Sequence, residues 1–291
     1  MSHTSKTVVH ETLLYQLLSF DLVNHQSYRY TKLFIESFFV MTLACWLPYI
    51  FHFEQSAVYS LFVVSFALLE RAHFLLEENK QNIWSRQLGG WKSNALSANS
   101  ILAIFVGIFL AALCFATLLL VLYSPQELKS TFAFFLRDFQ LDASNGIATR
   151  FTGFIPIFTH NLLVMVTLSV VVLCYRAYGL ILVLAWNACV WGGVFALFFW
   201  LGFTGVKVSG VVVVLQSFVA VFPHLLLEAA AYIMGALAAL FLSKGVTKYE
   251  FGDERFLSVI KVSGLLFVVA LITLAIAGLV EVTLPPRLMP F

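Results

Sequence analysis

Long apolar runs are the feature that most constrains the fold of this chain. Between Leu33 and Pro285 the sequence contains six or seven runs that can each cross a lipid bilayer, which takes about 20 helical residues. Charged residues make up only 11% of the 291 residues, against roughly 25% in soluble domains, so a soluble globular protein is excluded. We therefore predict an all-α, polytopic transmembrane helix bundle of about seven spans.

The spans are separated by short polar breaks, and those at His52–Ser56 and Arg176–Gly179 imply antiparallel hairpins. The spans are predicted at about 33–52, 57–77, 99–123, 157–176, 179–203, 211–242 and 262–284. The sixth run is too long for one span and contains Pro223, so we expect a half-helix over about 210–221 and a spanning helix that starts near Pro223. We divide the chain into an N-terminal extension, 1–98, and a five-helix membrane core, 99–291.

Two further amphipathic helices are predicted to lie at the membrane surface. The first covers 7–23, and its helically spaced apolar positions are Val9, Leu13, Leu17 and Phe20. The second covers 125–141 after a helix-starting Ser124-Pro125, and its apolar stripe is Leu128, Phe132, Phe135, Leu136 and Phe139.

The distribution of Lys and Arg predicts the orientation. With the N-terminus in the cytoplasm and seven crossings, twelve of the 17 basic residues lie inside and five outside. Cytoplasmic loops are enriched in such residues, so we predict a multi-pass cell-membrane protein with a cytoplasmic N-terminus and an extracytoplasmic C-terminus. The first 32 residues do not resemble a cleavable signal peptide, so the first span is expected to be retained.

A few polar residues interrupt the spans, and any function must be sought among them because an ionisable group at membrane depth is costly unless it is partnered. The predicted topology places five of them within about 10 Å of one level near the outer face. These five are His160, Asn161, His224, Glu228 and Glu281. They could converge on one outward-facing polar pocket. Asn187, the sixth candidate, is predicted in the inner third of the fifth span, apart from the others.

These polar residues admit three interpretations. They could be structural contacts between helices, or they could bind a ligand or ion, including a proton relay or a lipid headgroup. Two His and two Glu could also hold a catalytic metal of the zinc type, although the His-Glu-x-x-His signature is absent. The metal is therefore left unknown, and no cofactor is expected. The four cysteines all fall inside apolar runs without metal-binding spacing and are read as small buried hydrophobes.

Residues 100–286 resemble the stage II sporulation protein M family of integral membrane proteins. The resemblance is based on Asn161 at the start of a span, Asn187 near glycines, Pro223-His224 followed by Glu228, and Glu281 before Pro285. It implies the membrane topology and a shared polar site. The family's namesake belongs to an envelope complex that assists peptidoglycan-degrading partners at the septum.

We therefore expect a non-enzymatic component or scaffold of a cell-envelope complex, with the helix over 125–141 and the polar pocket as contact surfaces. Its expected partners are the lipid bilayer and other membrane or envelope proteins, and not nucleic acid. A transporter or lipid-handling permease is the alternative, and a cavity that reaches Asn187 would favour it. An intramembrane metal-dependent hydrolase is a third hypothesis.

Overall fold

The computed structural model describes residues 26–73, 91–136, 139–142, 146–149, 153–204 and 210–284. In chain order the elements are α1 (Gln26–Ile50), α2 (Ser56–Ala67), α3 (Trp91–Leu122), α4 (Pro125–Thr131), β1 (Phe139–Asp142), β2 (Gly146–Thr149), α5 (Phe154–Tyr175), α6 (Ala177–Thr204), α7 (Gly210–Lys248) and α8 (Glu254–Thr283). The first predicted surface helix, over 7–23, lies outside the described residues.

The predicted helical membrane bundle is confirmed. Six of the described helices, α1, α3, α5, α6, α7 and α8, are long and apolar enough to cross a membrane, and α2 is a shorter apolar helix. This is consistent with about seven spans. The two short strands form an antiparallel hairpin in which Phe139 pairs with Thr149 and Asp142 with Gly146.

Short turns connect the helices at the two polar breaks. Gln55, between α1 and α2, and Arg176, between α5 and α6, both have a φ of 51°. This left-handed backbone region is uncommon for residues other than glycine, and it lets the chain reverse within a few residues. The Arg176 guanidinium also donates to the hydroxyl of Ser243 in α7 at 3.1 Å, which ties the α5–α6 turn to a third helix.

Helix α6 lies at the centre of the bundle. In its most apolar 18-residue stretch, 83% of the residues are buried inside the protein. In the corresponding stretch of α8 only 22% are buried, so α8 faces largely outward. Helix α6 packs against α2, α3, α5 and α7, and α7 packs in turn against α5 and α8. Helix α1 packs mainly on α2 and α3. The predicted N-terminal extension is thus joined to the core through α3 and α6.

Glycines allow the closest helix contacts. A Cβ atom at Gly107 would lie 2.6 Å from the backbone oxygen of Phe34, where α3 crosses α1. A Cβ atom at Gly192 would lie 2.9 Å from the Cβ of Ala112, where α6 crosses α3. Small residues let the helix backbones approach one another, and close van der Waals contact is the main attraction available between helices in lipid.

The predicted break at Pro223 is wrong. Helix α7 continues through Pro223 over its whole length. Proline removes one backbone hydrogen bond from a helix, but neighbouring helices in a membrane bundle can hold such a helix together. Helix α7 packs against α5, α6 and α8, so its path is fixed on both sides of the proline.

The predicted helix over 125–141 is shorter than expected, although it does begin after Ser124. The Ser124 hydroxyl accepts from the backbone N–H of Glu127 at 3.2 Å and caps α4, which ends at Thr131. The chain then turns and enters β1 at Phe139. The apolar stripe does not lie on the membrane face, because Leu128 and Phe132 are fully buried in the bundle core.

Two of the four cysteines are buried and two are exposed. Cys45 and Cys189 are buried, as expected from their apolar runs. The expectation is wrong for Cys114 and Cys174, which are exposed on the bundle surface. An apolar run alone does not distinguish the inward face of a membrane helix from the face that lipid covers.

We predict that Gly107→Ala destabilises the protein by about 1–3 kcal/mol, because the added methyl group meets backbone that cannot easily move. The measurement is thermal unfolding of the purified protein in detergent. Gly264→Ala in α8 is the matched control, since nothing lies within 4 Å of the added methyl group. The control should be neutral or slightly stabilising. Equal melting temperatures for the two variants would contradict the close α1–α3 contact.

Candidate functional site

A cavity of about 110 Å³ lies among α5, α6, α7 and α8 and is partly open to the exterior of the protein. The segment that follows α4 contributes Phe134 and Phe135 to its wall. The polar side chains that line it are His160, Asn161, Asn187, His224, Glu228, Tyr232 and Glu281. The cavity therefore combines several hydrogen-bonding groups with an otherwise apolar wall.

Helical spacing brings these groups to one place. His224, Glu228 and Tyr232 are four residues apart along α7, so they lie on one face of that helix. Asn187 and Trp191 have the same spacing on α6. Helix α8 supplies Glu281 from its last turn. Helix α7 thus presents a polar strip, and the other helices add one or two polar residues each.

Glu228 has a direct partner. The hydroxyl of Tyr232 donates to its carboxyl oxygen Oε1 at 2.5 Å. Glu281 lies close enough to interact electrostatically with both Glu228 and Tyr232. Two ionised carboxylates in such a setting would repel each other while also losing hydration, so ionisation of both would need a compensating positive charge or hydrogen-bond donors.

Asn187 is anchored to its own helix. Its side-chain nitrogen donates to the backbone oxygen of Val183 at 2.9 Å, and the residue is only 4% exposed. The neighbouring Trp186 packs edge-on against Phe134 and Phe135, with ring centroids 5.1 and 5.5 Å apart. These contacts fix one wall of the cavity.

His224 is the least satisfied of the cavity residues. Its side chain is 6% exposed, and its buried Nδ1 atom has no hydrogen-bond partner although the ring lies close to the backbone oxygen of Ala220. A buried polar atom without a partner costs about 1–3 kcal/mol. An apolar side chain at this position would avoid that cost if tight packing were its only role.

The structure brings all six candidate residues to the lining of one cavity, including Asn187, which was expected to stand apart. That expectation is wrong because α6 begins at Ala177, so Asn187 lies ten residues along it, about 15 Å from its start. This depth is close to the middle of a bilayer.

Sequence reasoning missed Tyr232 and the aromatic part of the wall. The sequence could have indicated Tyr232, because it follows Glu228 at the same four-residue interval that separates His224 from Glu228. Phe134 gave no such signal, and Phe135 was assigned to the apolar stripe of a predicted helix that in fact ends at Thr131.

The described residues give no support to a metal centre. Across the part of the chain that the structure describes, no three His, Cys, Asp or Glu side chains are placed to share a metal ion. The same part of the chain contributes no Lys or Arg to the cavity lining. Among the described residues, the lining therefore offers carboxyl, amide, hydroxyl and imidazole groups for binding.

These features define a polytopic helical membrane protein with a partly open polar cavity in its bundle. The model of the family Stage II sporulation protein M matches residues 100–286, which is more than half of the chain, and the chain belongs to that family. No curated protein and no solved structure matches the chain significantly.

We predict that Tyr232→Phe destabilises the protein by about 1–3 kcal/mol, because it leaves the buried Glu228 carboxyl without its donor. Glu228→Gln should cost less, since the amide oxygen can still accept from Tyr232. Thermal unfolding in detergent measures both effects, and Tyr175→Phe, at an exposed tyrosine, serves as the control. A loss for Tyr232→Phe no larger than for Tyr175→Phe would contradict a stabilising Tyr232–Glu228 bond.

Proposed function

We propose that this protein is a non-enzymatic permease that moves a small molecule or handles a lipid headgroup, with the polar cavity as its binding site. The single observation that supports this function is that one cavity reaches from Glu281, at the end of α8, to Asn187 in the interior of α6. Transporters hold their substrates near the bilayer midplane, in cavities lined by polar groups from several helices.

Contacts that serve packing alone account for only part of this site. The Tyr232–Glu228 and Asn187–Val183 hydrogen bonds could stabilise any helix bundle. The unpartnered Nδ1 of His224 and the open volume beside it add nothing to packing. The open volume is accounted for if a ligand occupies the cavity.

The proposed orientation makes the cavity face outward. With the N-terminus in the cytoplasm, α5 begins and α8 ends on the outer side, and the loop with Phe134 and Phe135 lies there too. Substrate would then enter from outside, past Glu281 and towards Asn187.

We predict that Asn187→Cys, in a background with the four native cysteines replaced by alanine, reacts with a small cationic methanethiosulfonate reagent added outside intact cells. The reagent should reach it because Asn187 lines a partly open cavity. The extent of labelling is read by mass spectrometry. Ala188→Cys is the matched control, because the adjacent Ala188 is fully buried and does not line the cavity.

Failure of Asn187→Cys to react from either side would contradict an accessible binding site. Reaction only from the cytoplasmic side, in inverted vesicles, would leave the cavity accessible and overturn the proposed orientation. Equal labelling of Ala188→Cys would point to loosening of the whole bundle rather than to a specific path.

A role as a membrane component of a cell-envelope complex is the second candidate, and membership of the Stage II sporulation protein M family supports it. The structure changes the expected contact surface. The stripe residues from Leu128 to Leu136 pack into the bundle, so a partner would meet the outer rim of the cavity and the exposed Phe134 rather than that stripe.

We predict for this second function that Glu228→Ala lowers the recovery of cross-linked envelope partners, because it removes both a carboxyl group of the pocket and the Tyr232 contact. Recovery is measured by quantitative mass spectrometry at equal amounts of membrane-inserted protein. Glu250→Ala, at an exposed residue between α7 and α8, is the control. Unchanged partner recovery for both variants would count against the pocket as a contact surface.

A further inference from the structure

We infer that the group bound in the cavity is a protonated primary amine, R–NH3+, carried either by a small free amine or by an aminolipid headgroup. This inference rests on the proposed function, because it names the substrate class of the same site. It depends on four features of the cavity: its charge, its hydrogen-bonding groups, its aromatic wall and its size.

The charge of the cavity selects a cation. Glu228 and Glu281 both line it and interact with each other, and no Lys or Arg from the described residues lies beside them. An anion such as a phosphate would meet two carboxyl groups without a compensating positive charge. A cation between the two carboxylates removes their repulsion and restores the stabilisation that water would have provided.

The hydrogen-bonding groups select a cation that carries N–H bonds. A primary ammonium group has three donors, and carboxylate oxygens and the unprotonated nitrogen of a neutral imidazole are acceptors. The carboxyl groups of Glu228 and Glu281 both line the cavity and can accept such bonds. An ammonium group could donate N–H bonds to both carboxyl groups, whereas a quaternary ammonium group has no N–H to donate.

The aromatic wall also suits a cation. Trp186 and Trp191 line the cavity together with Phe134 and Phe135. Trp191 is held by edge-on contacts with Phe105 and Phe109, at 5.3 and 6.0 Å between ring centroids. Rigid indole rings attract ammonium groups electrostatically and cover the short carbon chain that follows them.

The size of the cavity limits the ligand to a small group. Its volume of about 110 Å³ is smaller than the engineered cavity of about 150 Å³ that accommodates benzene. It therefore has room for about four or five heavy atoms, which is enough for an ethylammonium group. The phosphate of an aminolipid would remain outside, away from the carboxyl groups.

The test measures binding to the full chain in phosphatidylcholine nanodiscs at constant ionic strength. Ethylammonium chloride is titrated, and intrinsic tryptophan fluorescence is recorded because Trp186 and Trp191 line the cavity. We expect a saturable change with ethylammonium and none with sodium chloride. Tetramethylammonium should bind at least about tenfold more weakly, since it cannot donate the charge-assisted hydrogen bonds.

Variants assign the binding to this cavity. Glu281→Gln and Glu228→Gln keep the side-chain size and remove the charge, and each should weaken ethylammonium binding by at least about tenfold. Glu250→Gln, at an exposed position outside the cavity, should bind as the wild type does. Thermal unfolding shows that each variant is folded, and Glu281→Gln alone suffices if Glu228→Gln is unstable.

A second arm identifies the source of the amine. Nanodiscs that contain phosphatidylethanolamine are compared with pure phosphatidylcholine. Loss of the ethylammonium response in phosphatidylethanolamine indicates that the lipid headgroup occupies the cavity. An unchanged response indicates a free amine, and both results support the inference.

The inference is overturned if ethylammonium gives no saturable response, if sodium or tetramethylammonium binds equally tightly, or if both Glu→Gln variants bind like the wild type. The proposed function is judged separately, by the labelling of Asn187→Cys. A labelled cysteine without amine binding would retain the permease and reject the amine. An unlabelled cysteine would reject the permease itself.

Discussion

The burial of two carboxyl groups among apolar helices is the constraint on which the rest of the site depends. Glu228 and Glu281 lie on different helices, and their electrostatic contact means that each would raise the energy of the other if both were ionised. Tyr232 satisfies one carboxyl oxygen of Glu228. Both carboxyl groups line a cavity together with polar side chains from α5 and α6.

The bundle keeps this space open by packing tightly elsewhere. Gly107 and Gly192 let α3 approach α1 and α6 closely on the side of the bundle away from α5 and α8. Around the cavity the wall consists of large rings, and Trp186 is held edge-on by Phe134 and Phe135. Rigid rings cannot easily collapse into a void, so a cavity persists where flexible side chains would have filled it.

The class of fold and the polar residues of the site could be predicted from the sequence. The predictions that are wrong have physical causes. Apolar length identified the long helices, and the cost of polar groups in lipid singled out residues such as His224 and Glu281. Pro223 was misread as a break because one lost hydrogen bond matters less than packing along the helix. Leu128 and Phe132 belong to the apolar stripe that was expected on the membrane face, and both are buried in the protein. The periodicity of a sequence identifies an apolar face but not whether protein or lipid covers it.

The cavity lies within the part of the chain that matches the family model. Every residue that lines the cavity, from Phe134 to Glu281, falls within the matched region 100–286. Helices α1 and α2 lie outside that region and pack mainly on α3 and α6, so they support the cavity from behind and contribute no side chain to it. The side chains of the cavity therefore all come from the part of the chain that the family model matches.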